Sequence, residues 1–97
     1  MSNLKRLQAS METSGIDALL ISDIPNVQWL SGFTGSSACV LVKPTEATFI
    51  TDSRYALQAP VEVKDMPVRT FASPVKLVDF VHETANSMAI NKLWFEA

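Results

Sequence analysis

The chain of 97 residues has one cysteine, one histidine and three glycines, and each scarcity removes a class of chemistry. A lone cysteine forms no intrachain disulfide, and Cys39 sits in the apolar run Ala38-Cys39-Val40-Leu41-Val42, where a buried thiol acts as a small hydrophobe. That usage suits a reducing compartment. The single imidazole, His82, leaves Ser36, Ser37 and Ser53 without a second base to choose from, so a nucleophilic triad is unsupported. Glycine is too sparse for a phosphate cradle. Gly32-Phe33-Thr34-Gly35-Ser36-Ser37 has neither the Gly-Lys-Ser/Thr ending of a P-loop nor the third glycine of a dinucleotide fingerprint.

Charge is also thin, with charged residues at 19% against a usual ~25%. Eight bases against ten acids give a net charge of −2, and the bases are scattered, so no stripe neutralises a row of phosphates. Nucleic-acid binding is excluded on that ground. No apolar run is long enough for a signal-peptide core or a membrane span. The expectation is a cytoplasmic chain without membrane contact. Few charges also leave much neutral surface, which favours a domain that packs against another domain or subunit.

What is present reads as one α/β domain over residues 1–97. Leu4, Leu7 and Met11 recur at helical spacing and Gly15 stops the helix. Ile16 to Ser22 is a short apolar run, the mark of a buried strand. Pro25 and Asn26 break the chain, with a loop or short helical turn over Val27 to Gly35. Ala38–Val42 and Ala47–Thr51, separated by Lys43-Pro44-Thr45-Glu46, predict an antiparallel hairpin. Asp52 or Ser53 caps a helix from Arg54, which Pro60 ends or kinks at Ala59. Val68–Phe71 is a fourth strand. Ser73-Pro74 opens a helix whose apolar face carries Leu77, Phe80, Val81, Ala85 and Met88, and Leu93–Phe95 is a fifth strand. The prediction is a mixed sheet of five or more strands with helices on its faces.

Two groups of polar residues invite a functional reading. Asp79, His82 and Glu83 fall at i, i+3 and i+4, but a solvated helix face with Lys76 pairing to Asp79 explains them more simply than a metal site. Arg54 follows Asp52 at a strand end, where side chains of α/β domains project toward ligands. Its planar fork suits a carboxylate or a peptide carbonyl. On the residues alone, a surface ion pair with Asp52 or Glu46 is the more economical reading.

Gly32–Ser36 (GFTGS), the following hairpin and Thr51–Tyr55 with Gln58-Ala59 (TDSRY..QA) resemble the N-terminal domain of the creatinase/Xaa-Pro peptidase family. The resemblance extends to Arg6–Ser22 and to Asn26–Phe33 (NVQWLSGF), and so covers nearly the whole chain. The chain departs from the family at Ser53, where glycine is commoner, and at Pro60 inside the following helix.

The resemblance implies a creatinase/prolidase-type N-terminal domain, truncated here, whose pita-bread catalytic domain is absent. The expected function is that of a non-catalytic part of a metal-dependent Xaa-Pro aminopeptidase or dipeptidase, shaping the active-site entrance and the dimer interface. The alternative is a non-catalytic protein-binding or dimerisation module of a pita-bread-related protein. By the same resemblance, this chain holds no catalytic residue, metal ligand or cofactor. Two divalent ions, often manganese, belong to the missing domain, held by two Asp, one His and two Glu. The expected partners are that catalytic domain, a second subunit in a homodimer, and a proline-containing peptide. Arg54 becomes the candidate substrate-binding residue, overriding the surface-pair reading.

Overall fold

The computed structural model describes residues 2–95. Its five-stranded sheet has the order β4-β3-β2-β1-β5, built from Leu19–Ile21 (β1), Ala38–Val42 (β2), Ala47–Asp52 (β3), Val68–Phe71 (β4) and Trp94–Phe95 (β5). The central hairpin forms as expected, with β2 antiparallel to β3 in a register pairing Cys39 with Ile50 and Val40 with Phe49. β1 joins β2 antiparallel, whereas β4 and β5 add in parallel at the two edges. Four strands therefore run one way and β2 runs against them. The carboxyl ends of β1, β3, β4 and β5 share one edge of the sheet with the beginning of β2.

Side chains alternate across the pleat, which assigns each residue of the hairpin to one face. Val40, Val42, Ala47, Phe49 and Ile21 face helices α1 (Asn3–Ser14), α2 (Ile24–Ser31) and α3 (Gln58–Glu62), meeting Leu4, Met11, Val27, Leu30 and Ala59. Cys39, Leu41 and Ile50 face the opposite way, onto Phe80 and Met88 at helix α4 (Leu77–Ser87) and its end. One face thus carries three helices and the other carries one.

The first helix ends where its sequence says it should. Ser2 caps it by accepting the Lys5 amide, and Gly15 takes φ 73°, a left-handed conformation in which its N–H reaches the Met11 carbonyl. Three segments that contain proline differ from the sequence expectation. Pro25 does not break the chain but sits in the first turn of α2, where a missing amide hydrogen costs nothing. The helix expected from Arg54 is only a 3-10 turn over Ser53–Tyr55, and a separate helix, α3, begins at Gln58. Pro60 lies within the first turn of α3, so it starts this helix and does not end one. Ser73-Pro74 is a cis peptide in a turn closed by Val75 N–H to the Ala72 carbonyl, and α4 starts later, at Leu77, with Lys76 in the cap position. The buried strand expected from Ile16 to Ser22 pairs only over Leu19–Ile21.

Two part-buried polar contacts tie the layers together. Gln8 of α1 donates to the Lys43 carbonyl at 2.9 Å, and Lys43 Nζ donates to the Met88 carbonyl at the end of α4 at 2.6 Å. The hairpin turn is thus held from both faces. A cation at a helix C-terminus also complements its dipole.

Candidate functional site at the carboxyl edge of the sheet

β3 leaves the sheet at Asp52, and the next three residues form the corner that the sequence singled out. Asp52 Oδ1 accepts the Arg54 amide at 3.0 Å, capping the 3-10 turn. The same carboxylate takes the Arg54 side chain in a two-pronged pair, Nε to Oδ1 at 2.9 Å and Nη2 to Oδ2 at 2.8 Å. This bidentate geometry is the strongest form an Arg–carboxylate contact takes. The Arg54 hydrogen bonds hold the Asp52 carboxyl below its ordinary value, and the Asp52 contact in turn raises the Arg54 guanidinium. The Arg54 side chain remains 67% exposed against 20% for Asp52, so the arginine reaches outward from a fixed base.

Tyr55 secures that base from behind. Its ring stacks edge-on against Phe33 at 5.1 Å, and Phe33 packs edge-on against Phe49 of β3 at 5.0 Å. Such aromatic pairs add to the burial of their own surface. The Tyr55 hydroxyl lies 2.9 Å from Ser36 Oγ and accepts the Ser36 amide at 3.3 Å, contacts that lower the phenol's pKa. The Arg54 guanidinium carbon sits 5.3 Å from the Tyr55 ring centroid.

Gly35 lets the preceding loop close tightly. A side-chain carbon there would run into the Phe33 ring and stand 2.8 Å from Tyr55 Cε1, so the loop needs glycine to close over the aromatic pair. Its neighbour Thr34 is anchored by Glu62, which accepts the Thr34 amide at 2.8 Å and the Thr34 hydroxyl at 3.0 Å, with Gln58 donating at 3.1 Å. The Thr34 amide, first, and Gln58 hold Glu62 below the ordinary carboxylate value. The loop is architecture, as its residues suggested.

Two concave regions open on the α4 side. A cavity of about 220 Å³ at the carboxyl edge is lined by Ser22, Ser36, Ser37, Asp52, Phe71 and Leu77 among others. A larger groove of about 410 Å³ runs between α4 and the β1–β5 edge, lined by Leu20, Cys39, Leu77, Val81, Leu93 and Phe95 among others. His82 borders the groove, whereas Ser36 and Ser37 line the smaller cavity. Cys39 is buried, and desolvation pushes its thiol from 9.0 up to about 11.

Arg69 of β4 donates to Thr84 at 2.8 Å and to Glu83 at 3.4 Å, bringing a cation to α4, whereas among the described residues no ion pair joins Lys76 to Asp79 as expected. Among the described residues, no three His, Cys, Asp or Glu side chains gather in a set fit to hold a metal ion. Among the described residues, no helix is long and apolar enough to cross a membrane.

The overall fold is shared with known structures. The family described as Creatinase/Prolidase N-terminal domain matches residues 3–97. The chain belongs to this family. It is 36% identical over 93 residues to the uncharacterized peptidase YqhT of Bacillus subtilis, covering 96% of this chain and 26% of that protein. An Xaa-Pro dipeptidase from Bacillus anthracis superposes with a TM-score of 0.87 at 29% identity, over 96% of this chain and 26% of the other. An X-Pro aminopeptidase from Thermotoga maritima MSB8 gives 0.83 at 34% identity, over 99% and 27%. The N-terminal domain of the cytoplasmic peptidase PepQ from Mycobacterium tuberculosis H37Rv gives 0.78 at 35% identity, over 96% and 71%. The chain therefore spans about a quarter of the length of the Bacillus subtilis relative it matches.

The Ser36–Tyr55 and Thr34–Glu62 contacts were not foreseen from the sequence. They join residues 19 and 28 positions apart, and the signals nearest to them were the tyrosine beside Arg54 and the acid that ends α3.

Proposed function

We propose that this chain is the non-catalytic N-terminal domain of a metal-dependent Xaa-Pro aminopeptidase or dipeptidase, shaping the active-site entrance and a dimer interface. The family match along residues 3–97 carries the reading, supported by relatives whose names are peptidase, Xaa-Pro dipeptidase and X-Pro aminopeptidase. Catalysis and both metal ions belong to a downstream domain, with the protein working in the cytoplasm as a homodimer. Within this chain Arg54 is the residue assigned to substrate. It stands at the carboxyl edge of the sheet, where ligands of α/β folds collect, and its unpaired guanidinium hydrogens face solvent. A proline-containing peptide would meet it through an oxygen acceptor.

The alternative, a protein-binding or dimerisation module without catalysis, draws on the exposed apolar side chains Trp29, Leu57 and Val61 on the three-helix side. One assay separates the two. The full-length protein, supplied with manganese, is expected to cleave Xaa-Pro peptides and to spare matched peptides with alanine in place of proline. Failure to cleave any Xaa-Pro peptide with manganese, cobalt or zinc would overturn the peptidase reading, and a stable dimer without activity would favour the module.

A further inference from the structure

Arg54 does not stand at the edge as a bare cation. A guanidinium carries five N–H donors. Asp52 takes one from Nε and one from Nη2, which leaves both hydrogens of Nη1 and the second of Nη2. The Asp52 carboxylate is fixed a third time by the Arg54 amide at 3.0 Å, so the acid cannot swing away without uncapping the turn. The pair as a whole is neutral, and the arginine side chain that carries the remaining donors is 67% exposed.

A neutral pair distinguishes two kinds of oxygen. A carboxylate approaching the free Nη hydrogens is attracted by Arg54 and repelled by Asp52 directly behind it. A peptide or amide carbonyl accepts the same hydrogen bonds and carries no net charge for Asp52 to oppose. In a peptide cleaved before proline, the group following the proline is a carboxylate in a dipeptide and an amide carbonyl in anything longer.

We infer that Asp52 is a specificity-determining residue, which turns Arg54 from a carboxylate clamp into a donor for a neutral carbonyl and so favours Xaa-Pro peptides extended beyond the proline. This rests on the proposed contact between Arg54 and substrate. Asp52 itself touches no substrate and acts by positioning and neutralising Arg54.

The test uses the full-length protein and two substrates differing only in charge, an Xaa-Pro dipeptide with a free carboxylate and the same dipeptide with a C-terminal amide. The native protein is expected to have the higher kcat/KM for the amide. Asp52→Asn, which keeps a capping oxygen but removes the charge, should shift the ratio toward the free acid by roughly fivefold at low salt, with the shift shrinking as salt is raised. Asp52→Glu, which restores the charge, should bring the ratio back toward the native value. An unchanged ratio in Asp52→Asn, or an equal shift in Asp52→Glu, would overturn the inference while leaving the peptidase reading intact. If the native protein cleaves neither substrate, the peptidase reading fails and the inference fails with it.

Discussion

The two faces of the sheet are built to different standards. On the three-helix face Phe33, Val40, Val42, Phe49 and Val27 are completely inaccessible, and the aromatic chain Phe49–Phe33–Tyr55 carries that packing out to the corner. On the α4 face Leu41 and Ile50 are equally buried, but Leu77 and Val78 stand 46% and 74% exposed beside a groove of about 410 Å³. The closed face fixes the position of Arg54. The open face differs in the groove beside its helix, since apolar side chains are exposed on both sides of the sheet.

Hollowing out the closed face should destabilise the chain most. Phe49→Ala removes a ring with no accessible surface and should cost about 3–5 kcal/mol, read as a fall in the urea midpoint. An outcome below about 1 kcal/mol, the level of an average substitution, would mean that the closed face is not the stable one.

A second, somewhat smaller effect tests the sheet residue that links the α4 layer to the groove. Burial raises the Cys39 thiol from 9.0 to about 11, so the folded state keeps its proton where the unfolded chain loses it. The resulting stability is fully present below pH 9 and is lost as pH rises through 11, a change of about 2–3 kcal/mol. Stability measured from pH 8 to 11.5 should fall more steeply in the native chain than in Cys39→Ala. Parallel curves would show that water reaches this thiol through the groove.

The smallest expected effect lies on the open face. Val78→Ser should change stability by no more than about 0.5 kcal/mol in the isolated chain, as exposed positions generally do. A larger loss would show that this face is already covered, for instance by self-association, which a dependence of the midpoint on protein concentration would reveal.

Much of the fold was legible in the sequence, and three of the misread elements have a common cause. The hairpin could be read because two β-rich runs flank a proline-containing separator, and α1 because apolar spacing ends at Gly15. The misread elements, at Pro25, Pro60 and Ser73-Pro74, all turn on proline. That residue opens a helix or sits in a turn with equal ease, and only packing against the sheet decides which. At the site, the Asp52–Arg54 pair was visible because its members are neighbours. The support behind it was not, since Ser36 meets Tyr55 and Thr34 meets Glu62 only after the loop folds back over Phe33. The openness of the α4 face was equally hidden, because Leu77 and Val81 read as core positions on helical periodicity alone.

On the proposed function this chain is architecture with one residue reaching toward substrate, and the decisive variant is Arg54→Ala in the full-length protein. An exposed arginine pair contributes little to folding, so melting should stay within experimental error of the native protein. Meanwhile kcat/KM for an Xaa-Pro peptide should fall about tenfold or more, the scale of a lost charge-assisted hydrogen bond. Unchanged kinetics at unchanged stability would return Arg54 to the surface and contradict the account.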